Sequence, residues 1–234
     1  MLLATSKKMK QNETISDNLM DEMGDSHASS SAQTPLRKDA FDLTSNEKKK
    51  IIEGHFHEIM QTLGLNMEDD SLKGTPHRVS KMFVNEIFRG LDPENKPKLS
   101  TFSNKYNYNK MLVEKHISVN STCEHPFLPI VGKAHVAYIS SGNVIGLSKI
   151  NRIVDYYSRR PQVQERLTIQ IMEELKNALE TDSVAVVIEA QHLCVTSRGI
   201  TDRTSTTVTV EYSGKFCEES TKAEFLKYIS NGNK

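Results

Sequence analysis

The chain has no tryptophan, and aromatic residues make up only 6% of its 234 positions. It therefore lacks the ring platforms on which single-stranded nucleic acids stack. Neither charge is in excess: 30 Lys and Arg balance 30 Asp and Glu. That balance removes the basic surface a nucleic-acid partner requires. No apolar run approaches the roughly 20 residues of a membrane span. The opening segment MLLATSKKMKQNE carries too short an apolar stretch for a secretory signal. Cysteine is scarce and odd in number, with Cys123, Cys194 and Cys217 alone, so a disulfide framework is not expected. Together these absences lead to the expectation of a soluble cytoplasmic protein with reduced thiols, no nucleic acid and no membrane partner.

What is present falls into three stretches. Residues 1–40 are polar and rich in Ser, Asp, Lys and Met, with DSHASSSAQTP at their centre, a composition expected to form a flexible tail. Residues 41–110 read as a helical part and a connector. Thr44 or Ser45 caps a first helix whose Ile52, Phe56, Ile59, Met60 and Leu63 recur at helical spacing up to Gly64. Thr75 is placed to cap a second, with Pro76 in its first turn, an apolar face of Val79, Met82, Phe83 and Ile87, and Gly90 at its exit. Residues 111–234 change character. VEKHISV, KAHVAYI, SVAVVIEA and STTVTVEY read as strands. Between the second and third lie helical stretches over 148–157 and 162–180, the longer with a stripe of Val163, Leu167, Ile171, Leu175 and Ala178. Two strands, two helices and two strands predict an α+β fold, an antiparallel sheet with helices packed on one face.

Three constellations carry chemistry. Cys123-x-His125 and His192-x-Cys194 each place a thiol and an imidazole on one side of an extended chain. Brought together they form a donor set suited to zinc, although two buried cysteines with incidental histidines leave the same pattern. In GLSKINRIVDYYSRRPQVQERL, Lys149 and Arg152 share a helix face beside Ser148 at the helix start. That group suits a phosphate chain or a solvated cationic face. Glu165 reads either as a carboxylate at a positive helix end or as a buried acceptor for a guanine edge. Arg198 follows the second thiol closely enough to place a cation near a metal, and an exposed arginine reads the same. Cys217 reads as a small semi-buried thiol.

In order along the chain, DDSLKGTPHRVSKMFVNEIFRGL, STCEH, VIGLSKINRIVDYY, RRPQVQERLT and AQHLCVTSRGI resemble the successive signatures of the GTP cyclohydrolase I family. The resemblance covers residues 35–230. It implies a tunnelling fold, with N-terminal helices followed by a four-stranded antiparallel sheet backed by two helices. It also implies a homodecamer with active sites between subunits, and hydrolytic opening of the GTP imidazole ring. In that reaction C8 leaves as formate and the product is 7,8-dihydroneopterin triphosphate, the entry to folate or tetrahydrobiopterin. Cys123 and Cys194 match the thiolate zinc ligands, and His125 and His192 the catalytic histidines. Glu165, supported by Gln164, matches the guanine-holding position. Ser148, Lys149, Arg152 and Arg198, with Arg78 from a neighbouring subunit, match the triphosphate site.

The departure is Pro126. The family motif reads CEHH, its second histidine being the third zinc ligand, and this chain reads CEHP. Either His125 or His192 replaces the lost ligand, with lowered activity, or the chain is a GTP-binding shell, a regulatory or hetero-oligomeric subunit. An altered reaction on a related purine or pterin is the remaining alternative.

Overall fold

The computed structural model describes residues 31–198 and 201–230. The first thirty positions of the expected polar tail lie outside the described residues. The N-terminal elements are α1 (Ser45–Thr62) and α2 (Thr75–Met82). Thr44 caps α1 through a capping box with Glu47, which satisfies two otherwise orphaned donors. Thr75 does not cap α2. Gly74 holds that position without a side-chain bond, and the Thr75 hydroxyl instead accepts from Arg78 Nη2 at 2.9 Å. A π turn over Phe83–Ile87 continues α2.

After the connector come β1 (Thr101–Ser103), β2 (Met111–Cys123), β3 (Pro129–Ile139) and β4 (Asn143–Ile145). There follow α3 (Leu147–Ser158), β5 (Pro161–Gln162), α4 (Gln164–Leu179), β6 (Val184–His192), the single turn α5 (Leu193–Thr196), β7 (Thr207–Tyr212) and α6 (Glu219–Ser230). The main sheet runs β5-β2-β3-β6-β7. Its four long strands pair antiparallel, as the sequence predicts. The two-residue β5 adds a parallel edge beside the end of β2, with Cys123 opposite Gln162. β1, in the connector, and β4, just before α3, form a separate antiparallel pair.

Alternation along the strands divides the apolar residues between two faces. Val119, Ala134, Val136, Val186 and Ile188 meet Ile150, Ile153 and Val154 of α3 and Leu167, Ile171, Leu175 and Leu179 of α4 in one buried cluster. Leu179, not Ala178, completes the α4 stripe. The opposite face holds a smaller cluster in which Ala137, Ala185 and Val187 lie under Phe216 and Phe225. α6, which supplies Phe225, has no counterpart among the elements expected from sequence. On α1 the expected stripe is only partly covered, with Ile52 and Phe56 half-buried. Met60 is buried, while Ile59 and Leu63 are 50% and 72% exposed.

Gly90 ties the N-terminal part to the end of α3. A Cβ there would stand 2.0 Å from the Tyr156 carbonyl oxygen, so only glycine permits the approach. Its N–H donates to Arg159 O at 2.9 Å, and its carbonyl accepts from Arg160 Nε at 2.7 Å.

Replacing Ile171, fully buried in the larger cluster, by alanine is expected to lower the unfolding free energy by about 2–5 kcal/mol. The readout is a lower urea midpoint at unchanged slope. Asn177→Ala, on the exposed face of the same helix, should stay within about 0.5 kcal/mol.

Candidate active site

β3 lies between the two thiol-bearing strands. Ile130 pairs with Ser121 of β2 on one side and with His192 of β6 on the other. Two residues beyond those partners stand Cys123 and Cys194, so both thiols leave the sheet at the same end. Cys123 is 5% exposed; Cys194 is half-buried and packs on the same apolar cluster. Neither Cys-x-His unit is wholly extended, contrary to expectation. β2 stops at Cys123, and His125 lies in the turn that follows. β6 stops at His192, and Cys194 lies in the helical turn α5. The turn nevertheless returns His125 Nδ1 to 3.7 Å from Cys123 Sγ.

Several bonds hold this turn. Cys123 N–H donates to Leu128 O at 2.8 Å, and Phe127 N–H donates to Cys123 O at 3.1 Å. Glu124 N–H donates to Gln162 O at 3.0 Å. Phe127 takes the left-handed conformation, φ 55°. The Glu124 carboxylate receives both guanidinium nitrogens of Arg166, Nη1 on Oε2 and Nη2 at 3.3 Å from Oε1. The Arg166 side chain is only 4% exposed, so this charge is held by its partner rather than by bulk water. A row of rings reaches the turn from the N-terminal helices: Phe56 to Phe83 at 6.0 Å, Phe83 to Phe88 at 5.4 Å and Phe88 to Phe127 at 5.2 Å.

Glu124, Arg166, Phe88 and Phe127 were not among the residues expected from sequence, and Phe56 and Phe83 were expected only on the apolar faces of their helices. One signal was available: Arg166 is a cation beside Leu167, next to the apolar stripe of α4. The contacts of Phe56 with Phe83 and of Phe88 with Phe127 join residues far apart in sequence and left no local trace.

The first turn of α4 approaches from the other side. Gln164 is 1% exposed. Its carboxamide nitrogen lies 3.0 Å from both Ile188 O and Thr207 O and 3.1 Å from Thr209 Oγ1, and its two hydrogens are shared among these three acceptors. Its carboxamide oxygen stands 2.7 Å from His192 Nε2. Glu165 is exposed rather than buried, and its charge is felt at His192. Burial holds the His192 imidazole below the ordinary histidine value, and the neighbouring Glu165 carboxylate opposes that shift. Burial pushes the Cys123 thiol up to about 11; the His125 backbone N–H opposes the rise and the adjacent Cys194 adds to it.

Among the described residues no three His, Cys, Asp or Glu side chains converge closely enough to hold a metal ion. The chemistry of the donor set still fits zinc: two neighbouring sulfurs, one with an imidazole nitrogen at 3.7 Å. Pro126, half-buried in the turn, adds no donor. Its amide nitrogen carries neither a hydrogen nor a basic lone pair.

The candidate anion-binding residues are dispersed. Ser148 and Arg152 are exposed and Lys149 half-buried along the start of α3, whose cap Gly146 makes no side-chain bond. Arg152 borders a small cleft with Arg89, Asn95 and Asp155. Arg198 is exposed beyond α5. Arg78 on α2 is exposed, its guanidinium donating to Ser71 O at 3.2 Å and to Thr75. Among the described residues, no hydrogen bond or ion pair joins Ser148, Lys149, Arg152 or Arg78 to the thiols or imidazoles. Cys217 is exposed and bonds Tyr212 O, beside Phe216 in the cluster on the opposite face of the sheet.

Thiol accessibility gives a direct check. With metal removed, iodoacetamide at pH 8 should modify exposed Cys217 well before Cys123, of which only about one thiol in a thousand is ionised at that pH. Peptide mass spectrometry would show the order, and equal rates at the two positions would contradict the burial of Cys123.

Comparison with known proteins gives one consistent answer. The sequence profile of the family described as GTP cyclohydrolase I matches residues 52–230. A GTP cyclohydrolase 1 from Flavobacterium johnsoniae is 63% identical over 213 residues, 91% of this chain and 96% of that protein. One from Citrobacter koseri is 50% identical over 202 residues, 86% of this chain and 91% of the relative. One from Aeromonas salmonicida is 53% identical over 195 residues, 83% and 88% of the two chains.

Proposed function

The chain belongs to the GTP cyclohydrolase I family, and from that premise we propose that it opens the imidazole ring of GTP by hydrolysis, releasing formate and forming 7,8-dihydroneopterin triphosphate. The observation that carries the proposal is the meeting of Cys123, Cys194, His125, His192 and the first turn of α4 at one end of the sheet. Those residue types serve a reaction in which water is activated and protons move on and off a purine ring.

In this reading Cys123 and Cys194 hold the zinc that the family implies. An imidazole supplies the third donor that Pro126 cannot, and His125, whose Nδ1 is 3.7 Å from Cys123 Sγ, is the better placed of the two. Zinc held there supplies Lewis acidity, making water a nucleophile near neutral pH. His192 transfers protons at the ring. Burial keeps its imidazole neutral at pH 7, so it is ready to accept one. Glu165 accepts the guanine N–H groups. Its exposure in a single chain leaves the carboxylate open to substrate.

Ser148, Lys149, Arg152 and Arg198, with Arg78, bind the triphosphate. Their separation from the thiols within one chain supports an assembly in which neighbouring copies complete the site. The exposed Ile59 and Leu63 at the end of α1 support it too, since water-exposed Ile and Leu at helical spacing suit burial against another copy. A homodecamer in the cytoplasm is the form proposed. Residues 111–234 form its catalytic domain and 41–110 a helical part and connector.

A second reading rests on Pro126 and on the absence of three converging donors among the described residues: a shell that binds GTP without turning it over. Zinc content and neopterin fluorescence measured on one zinc-replete sample separate the two. The enzyme reading expects about one equivalent of zinc per chain together with turnover. Zinc below about a tenth of an equivalent, with GTP still bound and none consumed, establishes the shell.

Pro126→His should raise zinc affinity and turnover together. Releasing His125 from ligation restores a proton-transfer group, a type of residue typically worth about 10²–10⁴ in rate. No change in either quantity would remove Pro126 from the account.

A further inference from the structure

The buried carboxamide of Gln164 touches His192 through one end and the sheet through the other, and that arrangement determines where the imidazole proton sits. Ile188 O and Thr207 O, each 3.0 Å from Gln164 Nε2, are backbone carbonyls and can only accept. The end of the carboxamide facing them must therefore be its NH2. Thr209 Oγ1, the third neighbour at 3.1 Å, is also an acceptor here. Thr168 Oγ1 lies 2.8 Å from Gln164 O, to which it donates. The 2.7 Å contact between the two threonine hydroxyls is then filled by the Thr209 hydrogen, leaving a Thr209 lone pair for Gln164. Every donor and acceptor in the group agrees on one orientation. Turning the carboxamide over would set the oxygen of a side chain only 1% exposed against two carbonyls, acceptor facing acceptor.

With its nitrogen end committed, Gln164 presents its oxygen to His192 Nε2 at 2.7 Å. That oxygen can only accept, so Nε2 carries the hydrogen. A neutral imidazole has one N–H, and Nδ1 is left as the basic nitrogen. We propose that Gln164 is a positioning residue that holds His192 as the Nε2–H tautomer, so that Nδ1 is the atom that takes up a proton in the reaction. The same bond withholds Nε2 from a metal ion. The relevance to catalysis rests on the function proposed above; the tautomer does not. The role also differs from the guanine contact that family resemblance implies for Gln164, because both ends of the side chain are already occupied.

Histidine-selective 15N labelling with magic-angle-spinning NMR reads the tautomer at any assembly size, His192 being assigned by the signals lost in His192→Gln. Wild-type protein at pH 7.5 is expected to show a protonated Nε2 and an unprotonated Nδ1. Gln164→Ala should produce a mixture of tautomers. It should also lower kcat by about 10–100-fold, the usual effect of losing such a supporting hydrogen bond, with KM changed little. Gln164→Leu keeps the bulk of the side chain and removes the bond, so it should give the same mixture of tautomers as Gln164→Ala, which separates loss of the bond from loss of packing. A protonated Nδ1 in the wild type overturns the proposal, as does an unchanged tautomer in Gln164→Ala. A Gln164→Ala effect confined to a raised KM assigns the residue to substrate binding instead and equally overturns it. Should wild-type protein consume no GTP, the functional reading fails and the NMR comparison alone decides the tautomer.

Discussion

The pairing of Ile130 with Ser121 on one side and His192 on the other is the constraint from which the site follows. Adjacent strands lie about 4.8 Å apart, so a shared central strand sets two distant segments in fixed register before any side chain is considered. A slip of one residue in either pairing would turn Val119 or Ile188 out of the core and expose apolar surface. The register that buries the core is thus the register that brings Cys123 and Cys194 together. Stability and site geometry depend on the same hydrogen bonds.

Around that frame the polar groups near the thiols hold one another. Arg166 is buried but meets a carboxylate with both guanidinium nitrogens. Gln164 is buried but bonded at both ends. Removing one member of such a set leaves its partner desolvated and unpaired, which outweighs the modest net worth of each bond. That asymmetry keeps the first turn of α4 and the turn bearing His125 and Pro126 in one arrangement. Pro126 sits in this turn without loosening its backbone: Cys123, Glu124 and Phe127 carry the turn's hydrogen bonds.

Much of this was legible beforehand. The four strands stood out because β-branched residues are dense in them, and α4 because its apolar residues recur at helical spacing. Cys123, His125, His192 and Cys194 drew attention through their spacing, although that spacing was read as extended chain, and both units leave the strand partway. α6 escaped notice because its one buried residue, Phe225, makes no stripe. The expected stripe of α1 stays open at Ile59 and Leu63 because periodicity reports amphipathicity and not the partner that covers it. Glu124 and Arg166 hid in plain view, since a charge pair between a turn and a helix has no signature in spacing.

By itself the sequence determined the family, the α+β order of elements and the balance of charge, because each is a property of residue type and order. Tertiary structure alone decided that the two thiols share one end of the sheet, that Glu124 meets Arg166, and that Gln164 faces His192. Those are relations between segments distant along the chain. They are set by strand register and by the need to pair every buried polar group, and neither is written in any local stretch.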